Sequence, residues 1–216
     1  MTELIIFDSD GVLVDSEKIA LAVLVRAAAD EGASIGVDEA IRLFRGVKFA
    51  DCVLEIERRS GHSVREDFVA KVRRETALAF DVELKPVEGI HAALAEITIP
   101  VCVASNGPMS KLKHTLRLTK LSSRFDGRMF SAYEVGSWKP DPGLFLHAAQ
   151  TLGVHPSRCL VIEDSLSGIH AAKAGGMRVL GFTGGCPESE LELRGVCADL
   201  FHRMRDLPAL LQDRIR

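Results

Sequence analysis

The sequence predicts an α/β fold: a doubly wound, Rossmann-like parallel sheet with an all-helical domain inserted after the first strand. Three observations carry this. After Pro86, short apolar runs alternate with segments of helical periodicity joined by brief polar turns, the pattern of a parallel sheet wrapped on both faces. Between Ser16 and Phe80 that alternation stops and only helical spacing is left. The acidic, hydroxyl-bearing and cationic candidates sit where apolar runs end, and open parallel sheets bind ligands beyond the carboxyl ends of their strands.

Leu4–Phe7 reads as a short buried strand. The insertion opens with a helix carrying Ile19, Val23, Leu24, Ala27 and Ala28 at helical spacing, stopped by Gly32. Asp38–Phe44 is a short helix ending before Gly46. Phe49–Arg59 and Arg65–Phe80 are two more, parted by Ser60-Gly61. The alternating pattern then resumes. Helix Gly89–Glu96 leads to strand Pro100–Ala104, which runs into Ser105-Asn106-Gly107. Helix Ser110–Leu118, strand Met129–Ser131 and helix Pro142–Leu152 follow, the last closed by Gly153. Strand Cys159–Ile162 ends in Glu163-Asp164. Helix Leu166–Ala174, closed by Gly175-Gly176, precedes strand Arg178–Phe182. The expected division is a core of residues 1–15 and 87–216 and a helical domain of residues 16–86.

Composition narrows the function classes. With 47% hydrophobic and 26% charged residues the chain has the make-up of a soluble globular protein. A net charge of -3 gives no basic footprint, so nucleic acid is not an expected partner. The early apolar run Ile19–Val25 is too short to span a bilayer, and Asp8 and Asp10 interrupt the first one, unlike a signal peptide. The cysteine count is odd, 5, and no two are spaced as CxxC. Reduced thiols, a cytoplasmic location and no zinc site are expected, for a monomer or weak homodimer with no membrane partner.

Asp8 and Asp10 stand two residues apart at the end of the first strand, before Gly11. Like charges this close raise each other's pKa. A fold keeps such a pair with a cation, a shared proton or a chemical task, which makes the segment a candidate active site. Taken alone, the two residues also fit turn positions or helix caps. Asp15 has no required chemical step and reads as part of the turn. Ser165 reads as the cap of the helix from Leu166, and Trp138 as a packing residue.

Four segments resemble, in order, the four motifs of the haloacid dehalogenase superfamily. They are Asp8-Ser9-Asp10-Gly11, Ser105-Asn106-Gly107, Lys139 within Trp138-Lys139-Pro140-Asp141-Pro142, and Glu163-Asp164-Ser165. The resemblance is to the branch holding small sugar phosphatases and β-phosphoglucomutase. It implies a magnesium-dependent phosphatase acting on a small phosphorylated metabolite. Asp8 would be the nucleophile that forms an aspartyl phosphate. Asp10 would protonate the leaving oxygen and then act as base toward water. Magnesium would be held by the Asp8 carboxylate, the Asp10 backbone carbonyl and Asp164, with Glu163 either behind these ligands or in direct contact. Lys139 would hold Asp8 ionised and oriented. Ser105 would offer its hydroxyl, and the amide groups of Asn106 and Gly107 would meet phosphate oxygens.

The helical insertion resembles the family's cap, which closes over the leaving group. In it, Arg45-Gly46-Val47-Lys48 is the candidate specificity segment. Arg45 and Lys48 around Gly46 suit a substrate with a second anionic group, and they equally fit a solvated helix end. The stretches Phe44–Lys48, Ser105–Pro108 and Trp138–Pro142, with His147-Ala148-Ala149, are similar to the bacterial 6-phosphogluconate phosphatase type, so a sugar phosphate or sugar-acid phosphate such as 6-phosphogluconate is the expected substrate. The mutase alternative lacks its pattern residues, since Ala20 stands in place of a cap histidine and Phe49 in place of an arginine. A receiver-like or non-catalytic phosphate-binding protein would share the acidic rim, but receivers lack the early helical insertion.

Overall fold

The computed structural model describes residues 1–44, 47–197 and 199–215. The chain forms two compact units, Met1–Asp15 with Lys85–Arg216, and Ser16–Leu84.

Strand β1 (Leu4–Phe7) is buried along its whole length, as an uninterrupted apolar run requires. The chain then leaves for the helical unit. This contains α1 (Glu17–Asp30), α2 (Val37–Phe44), α3 (Phe49–Ser60) and α4 (Phe68–Glu83). Helix α4 starts at Phe68 rather than Arg65, because the Phe68 amide donates to the Arg65 carbonyl in a turn that precedes the helix. The unit has its own apolar core. Leu24, Ala27 and Ala28 of α1 cluster with Phe44, Ile56, Phe68 and Val72.

Exit and return run side by side within the other unit. Val14 and Pro86 form an antiparallel bridge, the Asp15 amide donates to the Lys85 carbonyl at 3.0 Å, and the Val87 amide to the Leu13 carbonyl at 3.0 Å.

After the return come α5 (Ile90–Glu96), β2 (Val101–Ser105), α6 (Met109–Leu118), β3 (Met129–Ser131), α7 (Ala132–Val135) and α8 (Gly143–Thr151). Then β4 (Cys159–Glu163), α9 (Leu166–Ala174), β5 (Arg178–Phe182), α10 (Pro187–Arg194), β6 (Leu200–Phe201) and α11 (Leu207–Ile215) complete the fold. The 6-stranded sheet has the order β3-β2-β1-β4-β5-β6, and every neighbouring pair is parallel. The sequence pattern implies five of these strands. The sixth, β6, has two residues, too few for any periodicity to show.

Leu4 and Ile6 of β1, Cys102 and Ala104 of β2 and Val161 of β4 pack with Phe145 and Ala148 of α8 and Ile169 of α9. The alternate residue Phe7 meets Phe125 edge-on, with ring centroids 6.1 Å apart. Full burial of each large apolar side chain is worth about 1.5–3 kcal/mol, so both layers are anchored on β1. All five cysteines are free thiols. Among the described residues no helix is long and apolar enough to cross a membrane.

The strand order sets the site. From β1 the chain steps outward through β2 to β3, then crosses back to β4 on the other side of β1. The direction reverses there, so the carboxyl ends of β1, β2 and β4 flank one crevice.

Candidate active site

Asp8 follows directly on β1, and its amide donates to the Ile162 carbonyl of β4 at 3.0 Å. The sheet ladder therefore places its backbone, not a free loop. Beyond it the chain folds back, with the Leu13 and Val14 amides both donating to the Ser9 carbonyl. Gly11 takes a left-handed φ of 78°. A Cβ there would lie 2.1 Å from Asp164 Oδ2. Glycine is thus required twice, for the turn and for the close approach of the Asp164 carboxylate.

Lys139 joins the two strand ends. Its Nζ donates to Asp8 Oδ1 at 2.5 Å and to Glu163 Oε1 at 2.7 Å, and it lies 4.7 Å from the centroid of the Phe145 ring. Its side chain is 2% exposed. Burial opposes the Lys139 charge, but Asp8 and Glu163 outweigh it and raise its pKa above the ordinary lysine value. For Asp8, burial pushes the carboxyl up, Lys139 pulls it down, and Glu163 and Asp10 push it up again, from an ordinary 3.8 to about 7. Desolvation of the enclosed carboxyl thus outweighs the pull of the one ammonium beside it.

Glu163 is committed to protein donors. Besides Lys139 at Oε1, its Oε2 accepts from the Asp164 amide at 2.9 Å, the Ser165 amide at 3.0 Å and the Ser165 hydroxyl at 2.9 Å. Ser165 Oγ also caps α9 by accepting from the Gly168 amide at 3.1 Å.

Ser105 closes β2, and its Oγ accepts from the Gly107 amide at 3.0 Å. The Asn106 side chain is bound to the Lys139 backbone, accepting from its amide at 2.9 Å and donating to its carbonyl at 3.3 Å. The Asn106 carboxamide thus fixes the Lys139 segment, and the Gly107 amide is turned toward Ser105. Asp10 Oδ2 accepts from Lys111 Nζ at 2.7 Å.

Arg45 and Gly46 lie outside the described residues. Lys48 immediately precedes α3 in the helical unit and is exposed. Trp138 packs edge-on against Tyr133, with centroids 5.5 Å apart.

Ligand atoms of Asp8, Glu163 and Asp164 lie within 4.8 Å of one another. The donors are carboxylate oxygens, which suit a hard divalent cation such as magnesium. Among the described residues, four carboxylates, Asp8, Asp10, Glu163 and Asp164, are gathered with two ammonium groups, Lys139 and Lys111, a balance of charge that suits such an ion. The cradle at Gly11, which a Cβ would fill, points the same way.

A family model described as haloacid dehalogenase-like hydrolase matches residues 2–176. The chain belongs to this family. It is 35% identical to a 6-phosphogluconate phosphatase of Escherichia coli (strain K12), across 83% of this chain and 82% of the relative. It is 33% identical to hexitol phosphatase B of the same strain, across 90% of this chain and 89% of that one. A solved haloacid dehalogenase-like protein of unknown function from Agrobacterium tumefaciens str. C58 matches with a TM-score of 0.87 at 35% identity, covering 100% of both chains.

In this haloacid dehalogenase-like hydrolase, Asp8, Lys139, Glu163 and Asp164 come together at one rim, with Ser105 and Asn106 on the neighbouring strand end. Two contributors escape a reading of the motifs. Gly168 lies so close to Glu163 that a Cβ would stand 1.8 Å from Oε1. Lys111 is the third residue of α6 and pairs with Asp10 across 101 positions. A cation in the first turn of the helix that follows Ser105-Asn106-Gly107 is the sequence feature that could have drawn notice to the residue, though not to its partner.

Proposed function

We propose that this haloacid dehalogenase-like hydrolase is a magnesium-dependent phosphatase of small phosphorylated sugars or sugar acids, working through an aspartyl phosphate on Asp8. The observation behind this reading is the buried Asp8–Lys139–Glu163 ion cluster beside Asp164. Such a group is costly to bury unless it is fully paired, and it supplies a nucleophile, a cation and a metal seat together.

An Asp8 carboxylate oxygen attacks phosphorus, and the bond from phosphorus to the ester oxygen breaks. That oxygen takes a proton from Asp10 and departs as an alcohol. Water then attacks the same phosphorus and gives a proton to Asp10, and Asp8 leaves as a carboxylate. Lys139 stays charged throughout and holds Asp8 in line. Asp8, Asp164 and the Asp10 backbone carbonyl would hold magnesium, which when bound neutralises phosphoryl charge. Glu163, with four protein donors, orients Lys139 instead. Relatives named for 6-phosphogluconate and hexitol support the sugar-phosphate class, and 6-phosphogluconate is the first candidate.

Phosphate release from a panel of phosphorylated metabolites, with magnesium and with chelator, tests this. Release should be greatest for 6-phosphogluconate or a related sugar phosphate, should stop with chelator, and should fall to background in Asp8→Asn, whose amide cannot form the acyl phosphate. Undiminished turnover by that variant would remove the nucleophile, and undiminished turnover with chelator would remove the metal.

A further inference from the structure

Asp8 and Asp10 are two residues apart but are held in different ways. Asp8 is fixed by the sheet ladder and by Lys139. Asp10 lies two residues farther on, with its side chain 33% exposed. A proton donor must be placed within hydrogen-bond reach of the oxygen it serves.

Lys111 supplies a restraint. Its Nζ donates to Asp10 Oδ2 at 2.7 Å. The lysine stem passes beside the Gly107 backbone, where an added Cβ would stand 3.4 Å from Lys111 Cδ. The Gly107 carbonyl in turn accepts from Ser131 Oγ of β3 at 2.7 Å. The contact thus ties the loop after β1 to the helix after β2.

We propose that Lys111 is a positioning residue for Asp10. By anchoring Oδ2 it fixes the rotation of the carboxyl, so that proton exchange with the leaving group runs through Oδ1. When the ester bond breaks, the proton passes from Asp10 to the departing oxygen, and the carboxylate left behind remains paired with the Lys111 ammonium. This rests on the phosphatase reading above and adds a residue to it. The plainer account is an ion pair of the kind that stands at protein surfaces, adding little to stability and without effect on the reaction.

The two accounts differ in how the rate depends on the leaving group. Ring-substituted phenyl phosphates vary in leaving-group basicity with little change of shape. 4-Nitrophenolate departs without protonation, whereas phenolate depends more on it. The parameter to follow is kcat/KM, which covers the steps through the first irreversible one and so excludes breakdown of the aspartyl phosphate. In Lys111→Met, kcat/KM should fall roughly 10- to 100-fold for phenyl phosphate and less than about threefold for 4-nitrophenyl phosphate. Lys111→Arg, which can still donate to Oδ2, should keep the ratio of the two substrates near that of the unaltered enzyme. Comparing two substrates within one preparation cancels any loss of folded protein. An equal fall along the series would place Lys111 on the phosphoryl group instead, and no fall would leave only the surface ion pair; either overturns the proposal. Failure of the unaltered enzyme to hydrolyse any phosphate monoester would instead overturn the phosphatase reading, before a variant is made.

Discussion

Asp8 ends a fully buried strand, where an unpaired carboxylate would cost several kcal/mol. Lys139 meets that cost in part and Glu163 completes the cluster, yet burial still holds the Asp8 pKa at about 7. The folded chain therefore keeps this proton in a pH range where the unfolded chain has released it. In the metal-free protein the contribution of Asp8 to stability is full below 3.8 and is lost as pH rises through about 7. A divalent cation needs the ionised carboxylate and must displace the same proton. Magnesium affinity should accordingly rise with pH up to about 7 and flatten above it, by as much as ~10-fold per unit where one proton is released. Calorimetric titration with magnesium at several pH values, in buffers of different ionisation heat, reads both affinity and proton release. An affinity independent of pH, with no proton released, would mean that Asp8 is already ionised when the metal arrives.

Helix α9 shows how an element serves the chemistry at some cost to itself. Gly168 stands in its first turn, where alanine would ordinarily favour the helix by about 1 kcal/mol. The Glu163 carboxylate occupies the space a Cβ would need, at 1.8 Å from Oε1, the oxygen that receives Lys139. Gly168→Ala must therefore push Glu163 or α9 aside, and overpacking of this kind costs about 1–3 kcal/mol. Steric conflict outweighs propensity, so urea unfolding should show a net loss of stability, and kcat should fall because Lys139 loses its second carboxylate partner. A gain near the helix-propensity value with activity intact would show that the glycine is not needed for this approach.

Much of the architecture was legible because β1, β2, β4 and β5 each carry an unbroken run of four apolar residues, and because polar residues mark where the first three stop. The two-residue β6 and the helices around it fell below that signal. Within the site, the motif spacing pointed to Asp8, Lys139, Glu163 and Asp164. It could not tell that Asn106 is occupied by the Lys139 backbone, since periodicity places a loop but not the partner of each donor. Lys111 was hidden for the same reason, as its contact with Asp10 is purely tertiary. The helical insertion was legible from its loss of alternation, and its independence has a physical basis in the paired exit and return at Val14 and Pro86. The ends of the insertion are already adjacent in the core, so a short connection there carries little closure entropy, and each unit has its own apolar cluster. Replacing residues 16–84 with a few glycine and serine residues should therefore leave a core that unfolds in one cooperative thermal transition, with its magnesium-linked change in melting temperature retained. Loss of cooperativity, with near-ultraviolet circular dichroism gone but far-ultraviolet signal kept, would show that the core depends on the insertion for its packing.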